Sequence, residues 1–339
     1  MMNPRLDLAL SGGDALPASG DVLVIGPHSP ADLADLPKDR LLVVQGFFPD
    51  HEVFLGQGFR IVPALAEAGD GFSAAIVFMP RSRSEARARV AEAAARVRPG
   101  GPVWIDGQKT EGIDTMVRDL RTRAPISAPI AKAHGKIFSF PAGAGFDDWL
   151  ATQLHPVPGF ITVPGVFSAD KPDRGSDLLA AALPAGLKGS VVDLGAGWGY
   201  LAAAILSREG VTHLDLVEAD YAALACARQN ITDPRVAFHW GDATKFRPES
   251  RPQTVVMNPP FHTGRAADPS LGAAFIAAAA GILSLSGTLF MVANRHLPYE
   301  AALTSRFREV EELKGDGAFK ILRASKPLTR PQTPGRPAR

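Results

Sequence analysis

The sequence predicts an α/β protein with two tandem Rossmann-like domains, and three observations support this fold class. The chain has 339 residues, which is enough for two domains of ordinary size. In each half, short apolar runs typical of buried strands alternate with helical patterns, as in parallel sheets with crossover helices. Between residues 146 and 164 the alternation gives way to Gly, Pro and mixed polar residues, so we place the domain boundary near residue 150.

The composition is that of a globular protein, and we expect it to be cytoplasmic. Hydrophobic residues make up 46% and charged residues 21% of the chain. The apolar runs are shorter than the ~20 residues that span a bilayer, and residues 1–10 are too polar for a secretory signal. Cys226 is the only cysteine, which excludes an internal disulfide and a zinc site with several thiolates. We therefore expect no membrane and no metal partner, and a buried Cys226.

The net charge of +1 gives the chain no strong overall attraction to nucleic acid. Binding to RNA would require a local cluster of Lys and Arg that contacts phosphates. The loops of the first half carry five such residues, which form either an RNA-facing patch or ordinary solvated charge: Arg81, Arg83, Lys109, Lys132 and Lys136.

The first half has the layout of a ligand-binding sheet without the usual polar groups. Strands are predicted at residues 21–27, 41–44, 74–79 and 103–106, helices at 84–97 and 112–122, and a hairpin at 132–140, with Ser84 as the cap of the first helix. A doubly wound sheet binds its ligand outside the carboxyl ends of its strands. Here the turn Gly26-Pro27-His28 lacks a glycine-rich loop, which indicates that this half has lost its ligand chemistry.

The second half repeats the layout with polar groups present. A strand at 190–194 contains Asp193 near its end and turns through Gly195, Gly197 and Gly199 into a helix at 201–207. Glycines allow close approach of the backbone, and the start of a helix offers free N–H groups. The G-x-G-x-G spacing differs from the dinucleotide fingerprint, and Asp193 would repel a pyrophosphate. Its carboxylate suits a cationic group, such as an α-amino group or a sulfonium.

The next two strands also end in acids. The strand at 213–218 ends in Glu218, about twenty residues past the glycines, where a carboxylate accepts hydrogen bonds from a ribose diol. A helix-capping acid is the alternative role for Glu218. The strand at 236–243 ends in Asp242 and Ala243. Asp242 could accept from an adenine amino group while the Ala243 N–H donates to the ring.

A fourth strand end carries the tetrad Asn258-Pro259-Pro260-Phe261. Asn258 precedes proline, which favours extended backbone, and the two prolines stiffen the loop and remove two donors. The loop then offers two acceptors, the Asn258 side-chain oxygen and the Pro259 carbonyl, beside an aromatic ring. This set suits a planar group with an NH2, such as the exocyclic amine of a nucleobase. A plain Pro-Pro loop after a core strand remains the alternative.

These motifs give the second half a resemblance to class I S-adenosylmethionine-dependent methyltransferases, with the tetrad as the amino-methylating motif. Residues 164–168, 173–176 and 292–299, together with 106–113 and 132–136, resemble the RsmC-type small-subunit (16S) ribosomal RNA guanine-N2 methyltransferase family. In that family a degenerate methyltransferase-like domain precedes the active one. The resemblance implies a degenerate domain at 1–150 and a catalytic domain at 151–327. The cations and prolines of residues 328–339 predict a basic disordered tail. The loop at 106–113 differs from that of the best-known members.

The resemblance also implies roles for individual residues. Asp193, Gly195 and Gly197 would line the methionine end of S-adenosylmethionine, Glu218 would hold the ribose, and Asp242 with Ala243 would meet the adenine. Asn258 and Pro259 would accept from the guanine N2 amine, Pro260 would stiffen the catalytic loop and Phe261 would stack on the flipped base. Four further residues are candidates for substrate contacts: Phe167, His262, Arg295 and His296.

Several of these roles have alternatives. His262 is either a base or part of the loop packing, and Arg295 and His296 contact either RNA or the neighbouring domain. Phe167, Ser168, Asp173 and Ser176 could close over the cofactor. Six cations after Phe319 could add nonspecific RNA affinity or only solubility: Lys320, Arg323, Lys326, Arg330, Arg336 and Arg339.

The resemblance predicts ribosomal RNA or the small ribosomal subunit as the partner, and we expect a monomer. Another enzyme of the same fold, acting on a large-subunit RNA guanine or a protein glutamine, is one alternative. A non-catalytic RNA-binding assembly factor is a second, and the intact set of four strand-end residues argues against it. A nicotinamide oxidoreductase is disfavoured by the glycine spacing and by Asp193.

Overall fold

The computed structural model describes residues 3–11, 15–260, 262–263, 266–267 and 269–330, with no side-chain description for 262–263 and 266–267. The chain divides into two compact units. The first comprises Met1–Leu154 and Val163–Gly165, and the second comprises His155–Thr162 and Val166–Arg339. Each unit is built around one seven-stranded sheet.

The first unit has a mixed sheet in the order β3-β2-β1-β4-β5-β7-β6. The first five strands in this order pair in parallel, whereas β7 pairs antiparallel with both β5 and β6. Its helices and strands are α1 (Pro4–Leu10), β1 (Val22–Ile25), β2 (Leu41–Val44), α2 (Phe48–Gly56), β3 (Arg60–Val62), β4 (Ala74–Phe78), α3 (Arg83–Arg96), β5 (Pro102–Gln108), α4 (Ile113–Arg121), β6 (Ile130–Lys132) and β7 (Gly135–Pro141).

The predicted strands, helices and hairpin of this half are confirmed, with one correction at a helix start. The cap of α3 is Ser82, whose hydroxyl accepts the N–H of Glu85, and Ser84 already lies inside the helix. The reason is that Arg83 is helical, so the extended residue that can turn its side chain back onto the first turn is Ser82.

Both faces of this sheet are covered, which explains the continuous apolar runs in its sequence. Leu23 and Ile25 belong to one buried cluster, whereas Val22 and Val24 belong to a cluster on the opposite face. All four side chains are buried. Successive residues of β1 therefore point to opposite faces of a sheet that is packed on both sides.

The second unit repeats the strand order of the first, as β10-β9-β8-β11-β14-β16-β15, and a separate antiparallel pair joins β12 to β13. Its elements are α5 (Arg174–Ala182), β8 (Gly189–Leu194), α6 (Tyr200–Leu206), β9 (Val211–Glu218), α7 (Tyr221–Asn230), β10 (Val236–Trp240), β11 (Thr254–Met257), β12 (His262–Thr263), β13 (Ala266–Ala267), α8 (Pro269–Ile282), β14 (Thr288–Asn294), α9 (Glu300–Thr304), β15 (Phe307–Glu312) and β16 (Phe319–Pro327).

The six cations after Phe319 do not all belong to a tail, because the last strand extends to Pro327. Three of these cations lie in β16 and pair with glutamates: Lys320 with Glu300, Arg323 with Glu311 and Lys326 with Glu309. The alternating apolar residues of this stretch pair along β14 and β15, which places it in the sheet. The predicted disorder of residues 331–339 falls outside the described part of the chain.

The described residues bear on two kinds of partner, a membrane and a metal ion. None of the helices there is long and apolar enough to cross a membrane. The same residues contain no group of three or more His, Cys, Asp or Glu side chains that could hold a metal ion. Cys226 is buried in α7, as predicted.

Candidate functional site

The sheet order brings the four predicted strand ends to one edge of the second unit. Strands β10, β9, β8 and β11 are neighbours and parallel. Leu194 at the end of β8 is in register with Val217 on one side and with Met257 on the other. The residues that follow these three positions are Gly195, Glu218 and Asn258, so they lie side by side at the carboxyl edge, where such sheets bind ligands.

The glycine loop after β8 requires glycine because of its backbone conformation. Gly195 and Gly197 have φ of +77° and +56°, in the left-handed region that side chains disfavour. A Cβ at Gly197 would have nothing within 4 Å among the described residues, so space does not dictate glycine there. The N–H groups of Gly195 and Ala196 donate to the Val217 carbonyl, which ties the loop to β9.

Asp193 lies beneath this loop as a fully buried carboxyl group. Its exposed fraction is 0%, and neither oxygen has a hydrogen-bond partner among the described residues. Burial, and to a lesser extent the charge of Glu218, raises the pKa of Asp193 to about 8. An ionised carboxylate in such a place is costly unless it meets a cation or a donor. The site therefore fits a ligand that carries positive charge or N–H donors.

Glu218 is held against the same loop by two backbone donors. One oxygen accepts the Gly197 N–H at 2.7 Å and the other accepts the Asp220 N–H at 2.8 Å. Burial raises the pKa of Glu218, and the backbone N–H groups oppose that effect. The cap of α7 is Asp220 and not Glu218, so the capping role considered for Glu218 from sequence is wrong. Contact of this carboxylate with a ribose stays a prediction.

Asp242 and Ala243 lie in a loop and not at the end of a strand, which corrects the predicted bounds. Strand β10 ends at Trp240, and the chain then turns at Asp242, whose carbonyl accepts the Lys245 N–H. The Asp242 carboxylate accepts from the backbone N–H and the hydroxyl of Thr244 at 2.9 and 2.6 Å. The contacts of this pair with adenine stay a prediction.

The amide of Asn258 has a defined orientation. Its Nδ2 donates to Asp173 Oδ2 and to Ser176 Oγ, each at 2.9 Å. With the nitrogen engaged there, Oδ1 faces the other way as an acceptor. Pro259 is buried and Pro260 is exposed. The predicted stacking residue Phe261 lies outside the described residues, as does the side chain of His262.

A small cavity joins Asn258 to the glycine loop. Its lining combines seven predicted residues with four further aromatic or apolar ones and consists of Phe167, Ser168, Asp173, Ser176, Gly195, Ala196, Gly197, Trp198, Tyr200, Leu201 and Asn258. Asp193, Glu218, Asp242 and Ala243 are not part of this lining. The sequence reasoning missed Trp198 and Tyr200, although aromatic residues within a glycine loop could have drawn attention to them.

Trp198 ties the segment around Phe167 to the glycine loop. Its indole Nε1 donates to the Phe167 carbonyl at 3.1 Å, and its ring packs edge-on against Phe160 and Tyr200. The Phe167 side chain is 58% exposed at the edge of the cavity. An aromatic side chain held in place by its backbone and open to solvent is suited to contact a planar group.

Arg295 is engaged within the second unit. Its guanidinium donates to the Asp316 carbonyl at 2.7 Å and pairs with Glu312 at 2.9 Å. These contacts tie Arg295 to the turn between β15 and β16, which favours packing over the RNA-contact role. His296 is exposed. Substrate contacts of both residues stay predictions.

The first unit lacks these groups at the same positions of its sheet. Ile25 is in register with Val44 and Val77, as Leu194 is with Val217 and Met257. In the first sheet, Val24 therefore occupies the position of Asp193, Gly26 that of Gly195, Gln45 that of Glu218 and Phe78 that of Asn258. An apolar side chain therefore replaces both the buried acid and the asparagine in the first sheet.

The start of the amino-terminal helix forms a buried ion pair with β5 of the first sheet. Arg5 donates to the two carboxylate oxygens of Asp106 at 2.6 and 2.8 Å, and Asn3 adds a third hydrogen bond at 2.8 Å. The Arg5 and Asp106 side chains are 5% and 3% exposed. The same residues line a cavity of about 340 Å³ together with His28, Asp32 and Phe78.

The family model described as "Methyltransferase small domain" matches residues 158–323. Ribosomal RNA small subunit methyltransferase C of Serratia proteamaculans is 30% identical over 261 residues, which is 74% of each chain. The protein of the same name from Shewanella pealeana is 30% identical over 266 residues, covering 74% of this chain and 76% of the relative.

The fold has a match over nearly the whole chain among solved structures. The 16S rRNA N2 G1207 methyltransferase (RsmC) of T. thermophilus, solved in complex with AdoMet and guanosine, superimposes with a TM-score of 0.79. The match covers 96% of this chain and 92% of that one at 24% identity, and it supports the predicted tandem methyltransferase fold. With the identity and coverage of the Serratia relative, these findings show that the chain belongs to the ribosomal RNA small subunit methyltransferase C family.

Proposed function

We propose that the chain transfers a methyl group from S-adenosylmethionine to the exocyclic N2 amine of a guanine in small-subunit ribosomal RNA. The observation that carries this proposal is the fixed amide of Asn258, which lies at the same sheet edge as the buried, unpartnered carboxyl group of Asp193. The first is suited to bind an NH2 group and the second to bind a cation. The names of the relatives support the same reaction class and substrate.

The residues at the edge fit the cofactor. Asp193, Gly195 and Gly197 would hold its methionine end, Glu218 its ribose, and Asp242 with Ala243 its adenine. When bound, the cofactor supplies an activated methyl group on a sulfonium. The positive charges of its sulfonium and α-amino groups match the buried carboxyl group of Asp193. This group would lose its proton when the cofactor binds.

The tetrad would position the acceptor amine. The lone pair of an exocyclic amine is delocalised into the ring, which makes the nitrogen a poor nucleophile. Asn258 Oδ1 and the Pro259 carbonyl would accept its two hydrogens, favour a pyramidal nitrogen and aim the lone pair at the methyl group. The acceleration then comes from positioning and fixed dipoles and not from a strong base.

A base within an RNA helix must leave its stack to reach such a pocket. Phe261 would stack on the flipped guanine. Phe167, an exposed aromatic residue at the edge of the cavity, would be a second surface for such a contact. Stacking on an aromatic side chain is worth ~1–3 kcal/mol per base. His262 and His296 are further candidates for substrate contact.

The two halves would divide the work. Residues 151–327 would form the catalytic domain, and residues 1–150 would bind RNA or stabilise the catalytic domain, because their sheet lacks the acid and the asparagine. Residues 328–339 would act as a basic tail. The expected partner is ribosomal RNA or the small ribosomal subunit, with the protein acting as a cytoplasmic monomer.

The variant Asn258→Ala tests the assignment. We expect methyl transfer to fall below detection while the Kd for S-adenosylmethionine changes by less than about threefold, because Asn258 meets the acceptor amine. Tritium transfer from labelled cofactor measures the first quantity and titration calorimetry the second. Gln229→Ala removes an exposed amide on α7 and should change neither. Equal losses of binding and transfer in Asn258→Ala would contradict the role.

A further inference from the structure

The contact between the tetrad and the start of α5 carries an inference that rests on the proposed function. We propose that Asp173 and Ser176 are positioning residues that set which face of the Asn258 amide meets the substrate amine. Asp173 lies 85 residues before Asn258 in the chain, and Ser176 lies 82 residues before it. They act through Asn258 and are not catalytic residues.

The argument starts from what an amide can do in two orientations. An asparagine that faces its substrate with Oδ1 accepts a hydrogen bond, and one that faces it with Nδ2 donates and repels an NH2 group. Rotation of the amide by 180° interchanges the two with little change in shape. A loop that must bind an amine therefore requires something that holds the nitrogen away from the substrate.

Asp173 supplies that restraint. A carboxylate offers only lone pairs, and its Oδ2 lies 2.9 Å from Asn258 Nδ2. In the reversed orientation, Oδ1 of the amide would face this oxygen at the same distance and two acceptors would repel each other. The Ser176 hydroxyl adds a second acceptor at 2.9 Å. Both contacts hold the same nitrogen, so Oδ1 stays available as an acceptor.

The Asp173 carboxylate is itself fixed. It caps α5 by accepting the Ser176 N–H with the same Oδ2 atom at 2.9 Å. A Cβ at position 175 would lie 2.9 Å from this oxygen and 3.2 Å from the side chains of Phe319 and Val292, so Gly175 leaves just enough room for the carboxylate. The restraint on Asn258 thus comes from a carboxylate that the helix start and its neighbours hold in one place.

Three variants of one residue separate positioning from helix capping. Asp173→Asn keeps an oxygen that can cap α5 and accept from Asn258. Asp173→Ser keeps a good cap but is one bond too short to reach Asn258, and Asp173→Ala loses both functions. Ser176→Ala removes the second acceptor and leaves the cap, which uses the backbone N–H.

We expect kcat for methyl transfer to fall about 10- to 100-fold in Asp173→Ser and about 3- to 10-fold in Ser176→Ala. The Kd for S-adenosylmethionine should change by less than about threefold, and Asp173→Asn should restore kcat to within about threefold of the wild type. A purely structural role would instead follow capping, so Asp173→Ser would match the wild type and only Asp173→Ala would be impaired. That result would overturn the proposal.

A spectroscopic measurement keeps the inference separate from the proposed function. The side-chain NH2 signals of Asn258, assigned with Asn258→Asp, should show slow hydrogen exchange in the wild type and fast exchange in Asp173→Ser. Equal exchange in the two proteins would refute the positioning role even if guanine N2 is methylated. If the wild type makes no N2-methylguanosine, the proposed function fails while the exchange data still decide the orientation. If Asp173→Ser does not fold, Ser176→Ala carries the same comparison.

Discussion

Replacing Asp193 by asparagine should change how the stability of the second unit depends on pH. Burial, together with the charge of Glu218, raises the pKa of Asp193 from 3.8 to about 8 in the folded protein. Between these values the folded state holds a proton that the unfolded chain has released. The free energy of unfolding therefore falls as the pH rises through this window, and the loss is complete once the pH exceeds about 8.

The magnitude follows from the size of the shift. Each pH unit inside the window lowers the free energy of unfolding by about 1.4 kcal/mol, so the wild type should lose about 2–3 kcal/mol between pH 6 and pH 8 through this group. Asparagine does not titrate. The difference in the free energy of unfolding between wild type and Asp193→Asn should therefore change by about 2–3 kcal/mol between pH 6 and pH 8. The cost of burying the asparagine amide is the same at each pH and cancels from this comparison.

Urea unfolding of the two proteins at pH 6, 7 and 8 without ligand measures this difference. Fluorescence and circular dichroism should be recorded together, because two units can unfold in separate transitions. Asp233→Asn is the control, since hydrogen bonds from Arg235 lower the pKa of Asp233 to about 2, outside the range of the experiment. Parallel pH profiles for wild type and Asp193→Asn would refute the reasoning about the buried acid.

Two further predictions concern contacts outside the reacting groups. Arg5→Met should lower the free energy of unfolding of the first unit by about 3–5 kcal/mol, because it leaves the buried Asp106 carboxylate without its main partner. The double variant Arg5→Met with Asp106→Leu should recover much of this loss. Urea unfolding measures both variants, and an unchanged stability of Arg5→Met would contradict the prediction. Trp198→Phe removes the donor to the Phe167 carbonyl and should weaken S-adenosylmethionine binding about three- to tenfold by calorimetry. Trp104→Phe loses a similar bond in the first unit and should bind the cofactor as the wild type does; equal affinities of all three proteins would contradict the anchoring role.

Much of the fold could be predicted from local pattern. The apolar runs of both sheets are covered on two faces, so they are continuous in sequence and easy to recognise. The carboxyl ends of neighbouring parallel strands meet at one edge, which is why Asp193, Glu218 and Asn258 could be grouped without coordinates. Element ends were less predictable, as Trp240 shows, because they depend on where the chain turns away from the neighbouring strand.

Contacts between residues that are far apart in the chain could not be predicted from the sequence. Arg5 and Asp106 are 101 positions apart, and no local pattern indicates that the amino-terminal helix pairs with β5 of the first sheet. Asp173 and Ser176 were recognised as cofactor-side residues, but their hydrogen bonds to Asn258 follow from the packing of α5 against the sheet. Such pairings arise only when tertiary structure forms, and here they determine the orientation of a predicted site residue.

The most direct test of the central claim is the identity of the methylated nucleoside. Small-subunit particles and naked 16S ribosomal RNA without the modification should be incubated with the protein and labelled S-adenosylmethionine, then digested and analysed by mass spectrometry. We predict N2-methylguanosine in small-subunit RNA, present with the wild type and absent with Asn258→Ala. Label in large-subunit RNA, in a protein glutamine or at another atom of the base would contradict the proposed function.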